Sequence, residues 1–185
     1  MLNDALFAIW FLLPAAVANM VPILSAQIPL IKKLDMPIDA GKSFQGHRIL
    51  GDHKTWRGII TGIVSSTLVL WIEQLLAAHF EWTHVFTGGI DYSALPLFIL
   101  GPVFAIGALG GDAIESFFKR MQGIKSGKSW IPFDQLDYII GSVLVSLFFV
   151  ILTPLQYVWI FIIWFVMHVL FSYIGFRMGL KKDPI

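Results

Sequence analysis

The chain has 185 residues, of which 57% are hydrophobic and only 14% are charged, and its formal net charge is +1. With a mean hydropathy of +0.76, this composition excludes an ordinary soluble domain and indicates an integral membrane protein. Because backbone groups in lipid must be hydrogen-bonded internally, we expect an all-α integral membrane protein with residues 1–185 in a single transmembrane domain. The absence of cysteine excludes disulfides, thiolate chemistry and a cysteine-rich zinc site.

Apolar stretches in five parts of the sequence approach or exceed the roughly 20 residues that cross about 30 Å of hydrocarbon as a helix. We therefore predict five transmembrane helices, at residues 4–31, 58–78, 95–118, 138–153 and 157–176. The fourth is short and a tight turn at Pro154 follows it, so the last two are expected to form a hairpin. No basic residue precedes the first stretch, which is also too long for a signal peptide, so we expect it to stay in the protein.

Every lysine and arginine lies on one side of these predicted spans. Because basic residues concentrate in cytoplasmic loops, we expect the N-terminus outside, the C-terminus in the cytoplasm, and cytoplasmic functional connections at residues 32–57 and 119–137. Such a face should attract anions, although most of these cations could instead only set the topology and contact anionic lipid headgroups. No long basic groove indicates a nucleic-acid partner. The basic residues are Lys32, Lys33, Lys42, Arg48, Lys54, Arg57, Lys119, Arg120, Lys125, Lys128, Arg177, Lys181 and Lys182.

The connection 32–57 combines three glycines, Gly41, Gly46 and Gly51, with basic and hydroxyl side chains. A glycine-rich backbone beside lysine and arginine can approach a phosphate closely, although the spacing of a P-loop is absent. A connection of this length without clear periodicity is more often functional than structural. It enters the second span through Lys-Thr-Trp-Arg-Gly at residues 54–58, where the tryptophan is expected to anchor the helix at the interface.

The end of the third predicted span carries Asp112, Glu115, Ser116 and Lys119. At about 100° per residue these four side chains share one face of the helix. Asp112 lies about 10 Å along the helix axis from Lys119, and therefore below the expected headgroup level. Because an acid at that depth needs a cation, a proton or water, we expect a polar cavity open to the cytoplasm.

Two further acids, Asp134 and Asp137, lie three residues apart at the start of the fourth predicted span and share a face. Capping of that helix is an alternative role for Asp134, because carboxylates suit a helix N-terminus. Capping does not account for Asp112 at the end of another helix. Carboxylates from two helix ends can instead supply the hard oxygen ligands that Mg²⁺ prefers and leave positions for phosphate oxygens.

These residues carry a resemblance to a known family. The sequence Gly-Asp-Ala-Ile-Glu-Ser-Phe-Phe-Lys-Arg at 111–120, followed by Lys125, Pro132 and Asp-Gln-Leu-Asp at 134–137, resembles the signature of the membrane CTP:phosphatidate cytidylyltransferases. Residues 54–58 resemble a second stretch of that family. Ser126 and Gln135 stand where aspartate and arginine are usual, and a His-Gly-Gly block is missing. The small size and the form of residues 51–58 resemble more closely the archaeal branch, the CDP-archaeol synthases.

The resemblance implies an enzyme that transfers the cytidylyl group of CTP to unsaturated archaetidic acid, a membrane lipid phosphate with isoprenoid chains, and yields CDP-archaeol and pyrophosphate. It implies Mg²⁺ held by Asp112, Asp134 and Asp137, which with Lys119 form the catalytic set. The expected location is the cell membrane, with the active site on the cytoplasmic side. Because the lipid phosphate is already anionic, the reaction needs positioning and charge neutralisation and no general base. The expected substrate-binding residues are Lys54, Thr55, Arg57, Arg120, Lys125, Lys128, Glu115 and Ser116.

Two alternatives stay open, one a related enzyme and one a protein of another class. A phosphatidate cytidylyltransferase that makes CDP-diacylglycerol from an ester lipid would use the same polar site. An ion or lipid transporter would carry polar residues through both halves of the bilayer and often an inverted repeat, and the sequence has neither feature. Away from the site, we expect Glu73 to be an exposed acid near the outer interface and His168 to be an interior histidine.

Overall fold

The computed structural model of the protein describes residues 1–125 and 128–179. Within these residues, four helices of 24 or 25 residues are long and apolar enough to cross a membrane. The elements in chain order are α1 (Leu2–Ser25), a 3₁₀ helix (Pro29–Leu34), β1 (Ser43–Phe44), β2 (His47–Arg48), α2 (Trp56–His79), a 3₁₀ turn (Glu81–Thr83), α3 (His84–Thr87), a 3₁₀ turn (Tyr92–Ala94), α4 (Leu97–Met121), α5 (Phe133–Ser146) and α6 (Pro154–Arg177). Lys181 and Lys182, which contribute to the predicted orientation, and Ser126 lie outside the described residues.

The four long helices coincide with four of the five predicted spans, and the mostly helical fold agrees with the predicted membrane class. The first helix ends at Ser25, six residues before the predicted end, and continues through Pro14 and Pro22. The fourth predicted span, 138–153, differs more, because α5 begins at Phe133 and ends at Ser146. With 14 residues, α5 is about 21 Å long, so a fifth crossing of the membrane stays a prediction.

The connection between α1 and α2 is folded rather than extended, and we call residues 35–55 the strap. Its two ends are held together, because Ile38 N donates to the Lys54 carbonyl at 2.8 Å and Trp56 N donates to the Met36 carbonyl at 3.1 Å. Between these ends, β1 and β2 form an antiparallel hairpin. The hairpin reaches α4 through Phe44, whose ring centroid lies 6.4 Å from that of Phe117. The strap therefore lies over the end of α4 that carries the polar motif.

Aromatic residues fill the centre of the helix bundle. Phe11 of α1 packs edge-to-face against Phe104 of α4, with ring centroids 5.5 Å apart. Trp164 of α6 donates its indole N–H to the Ala8 carbonyl at 2.8 Å. The buried hydroxyl of Tyr138 donates to the Trp164 carbonyl at 3.2 Å. These contacts connect α1, α4, α5 and α6, and they satisfy the buried polar atoms of Trp164 and Tyr138.

Glycines allow α4 and α5 to cross in direct backbone contact. A Cβ atom added at Gly111 would lie 2.1 Å from the Asp137 carbonyl oxygen. A Cβ added at Gly141 would lie 2.1 Å from the Gly107 carbonyl oxygen. Real Cβ atoms do not approach carbonyl oxygens so closely, so only glycine fits at these positions. The close crossing holds the polar end of α4 against the start of α5.

Candidate active site

Three acidic side chains meet where α4 and α5 cross. Carboxylate oxygens of Asp112, Glu115 and Asp137 all lie within 4.8 Å of one another. Asp112 and Glu115 are three residues apart on α4 and therefore share a face, whereas Asp137 belongs to α5. The glycine crossing places the Asp137 backbone against Gly111, the residue before Asp112. The acidic cluster, Asp112, Glu115 and Asp137, is thus a direct consequence of how these two helices pack.

Lys54 brings a positive charge to the acidic cluster from the strap. Its Nζ forms an ion pair with Asp112 Oδ2, and both side chains are partly exposed. The next residue, Thr55, is the N-cap of α2, because its hydroxyl oxygen accepts a hydrogen bond from Gly58 N at 3.2 Å. The cap determines where the strap ends and the helix begins. Thr55, an expected substrate contact, therefore serves in this structure to place Lys54 at the start of α2.

Lys119 joins the acidic cluster to Asp134. Its Nζ lies 2.6 Å from Asp134 Oδ1 and 3.6 Å from Glu115 Oε1, and its side chain is only 8% exposed. The second carboxylate oxygen of Asp134 accepts a hydrogen bond from Trp130 N at 2.7 Å. Both oxygens of Asp134 are thus engaged by protein groups. Glu115 occupies the place in the cluster that the sequence pattern assigns to Asp134, and the assignment of Asp134 as a ligand stays a prediction.

The donors of the acidic cluster fit a divalent cation. Three carboxylates from two helices converge, and the nearby cations of the described part are Lys54 and Lys119. Glu115 Oε1 is buried and has no hydrogen-bond partner among the described residues. Its nearest positive group is Lys119 Nζ at 3.6 Å, and a divalent cation in the acidic cluster would coordinate this buried oxygen directly. Hard carboxylate oxygens of this kind are the ligands that Mg²⁺ and similar ions take in proteins.

Arg57 has its donors occupied by protein groups. Its side chain is 7% exposed and forms an ion pair with Asp35 at 3.1 Å. The same guanidinium donates to the Pro22 carbonyl at 3.3 Å and to the Ser25 hydroxyl at 3.1 Å. These contacts tie the end of α1 and the start of the strap to the first turn of α2. Arg57 thus has a structural role here, and its expected substrate contact stays a prediction.

The remaining predicted site residues surround the end of α4. Ser116 is buried and its hydroxyl donates to Glu115 Oε2 at 3.5 Å. Arg120 has a buried Nε without a hydrogen-bond partner among the described residues. Lys125 and Lys128 are exposed in the connection that leads to α5. The structure therefore brings Ser116 to the acidic cluster, and the substrate contacts of the other three stay predictions.

One ionised residue near the site is absent from the sequence-based set. Asp39 lies in the strap, and its carboxylate accepts hydrogen bonds from the backbone N–H groups of Gly41, Leu50 and Gly51 and from the Arg48 guanidinium. Burial raises the pKa of Asp39, but these hydrogen bonds outweigh it and lower the pKa to about 2. The one local signal is an aspartate two residues before a glycine, which is typical of an Asx turn.

The structure contradicts the prediction that Glu73, near the outer interface, is exposed. The residue is only 2% exposed, and both carboxyl oxygens are buried without a hydrogen-bond partner among the described residues. The prediction is wrong because the face of α2 that carries Glu73 packs against the 3₁₀ turn Tyr92–Ala94, which hydropathy cannot reveal. His168 is partly buried, with its ring 5.7 Å from that of Tyr138, as expected of an interior histidine.

An apolar groove lies on the outside of the polar end of α4. It encloses about 370 Å³ and is lined entirely by carbon-rich side chains. The strap contributes one wall and α4 the other. The lining residues are Leu50, Ala113, Ile114, Phe117 and Phe118. An apolar space of this size therefore adjoins the helix that carries Asp112 and Glu115.

Known proteins are similar in sequence to most or all of this chain. A family model described as CarS-like CDP-archaeol synthase matches residues 1–185. The chain belongs to this family. Among its relatives, the CDP-archaeol synthase of Methanospirillum hungatei JF-1 is 35% identical over 161 residues, covering 80% of this chain and 89% of that protein. The CDP-archaeol synthase of Thermococcus gammatolerans is 32% identical and covers 99% of this chain and 98% of that protein.

A solved structure supports the same assignment. It was described as an intramembrane enzyme for archaeal membrane lipids biosynthesis. The match covers 85% of this chain and 92% of the chain in that structure, with a TM-score of 0.60 and 28% sequence identity. Membership of the family confirms the expected enzyme class, a CTP-dependent lipid-phosphate cytidylyltransferase. Neither the ester-lipid alternative nor the transporter alternative is favoured by these relatives.

Proposed function

We propose that this enzyme transfers the cytidylyl group of CTP to unsaturated archaetidic acid and releases pyrophosphate. An oxygen of the lipid phosphate forms a bond to the α-phosphorus of CTP, and the bond from that phosphorus to the bridging oxygen of the β-phosphate breaks. The product is CDP-archaeol. The observation that carries the proposal is the acidic cluster beside Lys54 and Lys119 at one end of the apolar helices. Family membership supports the choice of substrates.

Asp112, Glu115 and Asp137 would hold a divalent cation, which we take to be Mg²⁺. Two observations support this assignment. Three carboxylates converge, and the buried Oε1 of Glu115 has no hydrogen bond among the described residues, with Lys119 Nζ 3.6 Å away. When bound, the cation would neutralise charge on the triphosphate and stabilise the leaving pyrophosphate. Asp134 would hold Lys119 beside the cluster, and it would become a ligand only after releasing that ammonium group.

The cationic side chains around the cluster bind and orient the two anionic substrates. Lys54 and Lys119 lie next to carboxylates of the acidic cluster. There they would contact phosphate groups of the substrates. Arg120, at the end of α4, and Lys125 and Lys128, which are exposed in the connection to α5, would hold the rest of the triphosphate or the lipid phosphate. Positioning two anions against each other is the main catalytic requirement, because the nucleophile is already ionised. The chain's own residues therefore need to supply no general base.

The proposed orientation places the active site on the cytoplasmic side of the cell membrane. The N-terminus lies outside, the strap and the α4–α5 connection lie in the cytoplasm, and α5 with the turn after it makes the fifth crossing. The segregation of all basic residues supports this arrangement. CTP would then approach the acidic cluster from the cytoplasm, the side on which the basic residues lie.

The isoprenoid chains of the lipid would stay in the hydrocarbon during the reaction. The apolar groove between the strap and α4 supports a lateral approach of the lipid, because its lining residues adjoin the helix of the acidic cluster. A lipid held there would present its phosphate at the polar end of α4.

Purified enzyme incubated with labelled CTP, Mg²⁺ and a choice of lipid phosphates tests the proposal. We expect labelled CDP-lipid and pyrophosphate in equal amounts, with the unsaturated ether lipid preferred over an ester phosphatidate. A preference for the ester lipid would replace the proposed substrate by that of the CDP-diacylglycerol enzymes. Release of pyrophosphate without labelled lipid would contradict the transfer reaction itself.

A further inference from the structure

The strap contains a charged centre that the proposed reaction does not use directly. We propose that Asp39 is a positioning residue for cytidylyl transfer and that it acts through Lys54. The inference rests on the proposed function, in which Lys54 contacts the phosphates of CTP. Asp39 itself touches neither the acidic cluster nor any group assigned to the substrates in the described structure. Its influence must therefore pass through the backbone of the strap.

The first step of the argument is that the Asp39 carboxylate organises the strap from its centre. Its side chain is 2% exposed. Oδ1 accepts from Gly41 N at 3.0 Å and from Arg48 Nη2 at 3.0 Å. Oδ2 accepts from Leu50 N at 3.1 Å and from Gly51 N at 3.3 Å. One carboxylate thus joins the start of the strap to its last quarter.

The second step connects this centre to Lys54 through two backbone hydrogen bonds. Ile38 N, next to Asp39 in the sequence, donates to the Lys54 carbonyl at 2.8 Å. Lys54 N donates to the Gly51 carbonyl at 3.4 Å, and Gly51 is itself bound by the Asp39 carboxylate. The backbone of Lys54 is therefore held on both sides by groups that Asp39 fixes. From that position the Lys54 ammonium reaches Asp112.

The third step is that an asparagine cannot replace this carboxylate, although it has the same size. Each oxygen of Asp39 accepts at least two hydrogen bonds. In either orientation of an asparagine amide, its NH₂ group would face two donors in place of the lost oxygen. The NH₂ group cannot accept from these donors, so the strap would lose hydrogen bonds to residue 39 in either orientation. The helices contribute none of these donors, so the bundle would keep its packing while the strap loosens.

A double-mutant cycle between Asp39→Asn and Lys54→Met tests the inference. In the wild-type background, Asp39→Asn should raise the KM for CTP about tenfold, which corresponds to about 1.4 kcal/mol, and change kcat much less. In the Lys54→Met background the same substitution should change the KM less than about twofold, because the group through which it acts is gone. Thermal unfolding of both single variants should match that of the wild type and exclude loss of the helix bundle.

Asp52→Asn is the matched control. Asp52 is also in the strap and also pairs with Arg48, at 2.7 Å, but its side chain is 76% exposed. This variant should keep the wild-type KM. An equal effect of Asp39→Asn with and without Lys54, or a wild-type KM in Asp39→Asn, would overturn the inference while leaving the proposed function intact. A wild-type KM in Lys54→Met would instead refute the phosphate contact of Lys54, and the inference with it.

Discussion

Three of the four acidic side chains of the site, those of Asp112, Glu115 and Asp134, lie beside a lysine, and this pairing sets the charge that the substrates meet. Lys54 pairs with Asp112, and Lys119 is placed between Glu115 and Asp134. The two lysines cannot neutralise all of these carboxylates and also bind a triphosphate. A divalent cation in the acidic cluster would free the ammonium groups for phosphate oxygens. The side-chain arrangement thus favours joint binding of cation and nucleotide.

Replacement of Asp112 by asparagine removes the carboxylate that contacts Lys54 and belongs to the acidic cluster. We expect the rate of CDP-lipid formation to fall by about 100-fold or more, because even partners outside the ligand shell commonly cost 10–100-fold. Membrane insertion should be unchanged, since the residue contributes nothing to the apolar faces. The measurement is transfer of label from CTP with equal amounts of extracted protein. Activity near that of the wild type would show that Asp112 is not a ligand.

Glu115→Gln and Asp134→Asn distinguish the two possible ligand sets. If Glu115 completes the set, Glu115→Gln should raise the Mg²⁺ concentration for half-maximal activity by about tenfold or more. Asp134→Asn should lower turnover by releasing Lys119 and leave that Mg²⁺ concentration unchanged. A titration of Mg²⁺ at saturating CTP measures both. The reverse pattern would restore the assignment of Asp134 that the sequence indicates.

The crossing of α4 and α5 determines the site at the scale of secondary-structure elements. Gly107 and Gly111 lie four residues apart in the sequence and predict a close helix contact. The sequence does not reveal that Gly141 of α5 is the residue in contact, because a small residue indicates close approach but does not identify the helix that approaches. The acidic cluster depends on that choice of partner, since it combines acids of both helices. The sequence predicted that Asp112 and Glu115 share a helix face and that Asp137 is a ligand, but it assigned Asp134 rather than Glu115 as the third carboxylate of the cluster.

Gly141→Ala should separate the two helices. The added methyl group would lie 2.1 Å from the Gly107 carbonyl oxygen, and overpacking of this kind typically costs about 1–3 kcal/mol. We expect a lower unfolding temperature in detergent and a large loss of transfer activity. Gly110→Ala is the control, because a Cβ at that position meets no atom within 4 Å. Equal stability of the two variants would show that the crossing tolerates a methyl group.

The strap should lose order in acid. The pKa of Asp39 is about 2 in the folded strap against 3.8 ordinarily, so ionisation stabilises the folded form above about pH 4 and this contribution disappears as the pH falls through about 2. Hydrogen-exchange protection of Leu50 and Gly51, corrected for intrinsic rates, should fall over that interval. Asp39→Asn should have low protection at every pH. Constant protection in the wild type down to pH 2 would contradict the assigned role of the carboxylate.

At the scale of the whole molecule, hydropathy predicted the long membrane-spanning helices. It could not predict the burial and hydrogen bonds of individual polar residues, because these depend on tertiary contacts. The four long helices follow from composition, because a span must be apolar and helical. The burial of Glu73 and the hydrogen bonds of Asp39 depend on segments that are distant in the sequence or folded irregularly. The start of α5 at Phe133, before the predicted span, has the same origin. Asp134 in its first turn is polar, and it is held against α4 by its ion pair with Lys119.

The orientation of the molecule can be tested with single cysteines, because the natural chain has none. Under the proposed topology, a membrane-impermeant maleimide added to intact cells should label Ser93→Cys, between α2 and α4, and should not label Lys42→Cys in the strap. Permeabilised cells should show labelling at both positions. The cysteine-free wild type supplies the background. Labelling of Lys42→Cys alone in intact cells would place the active site outside.

A third position decides whether α5 makes the fifth crossing. Ile151 lies between α5 and α6 and is 86% exposed. If α5 and the following turn cross the membrane, Ile151→Cys should be labelled from outside together with Ser93→Cys. If α5 instead enters and leaves on the cytoplasmic side, α6 would carry the C-terminus outward and Ile151→Cys would be labelled only after permeabilisation. The basic residue Arg177 at the end of α6 makes the five-span outcome the expected one.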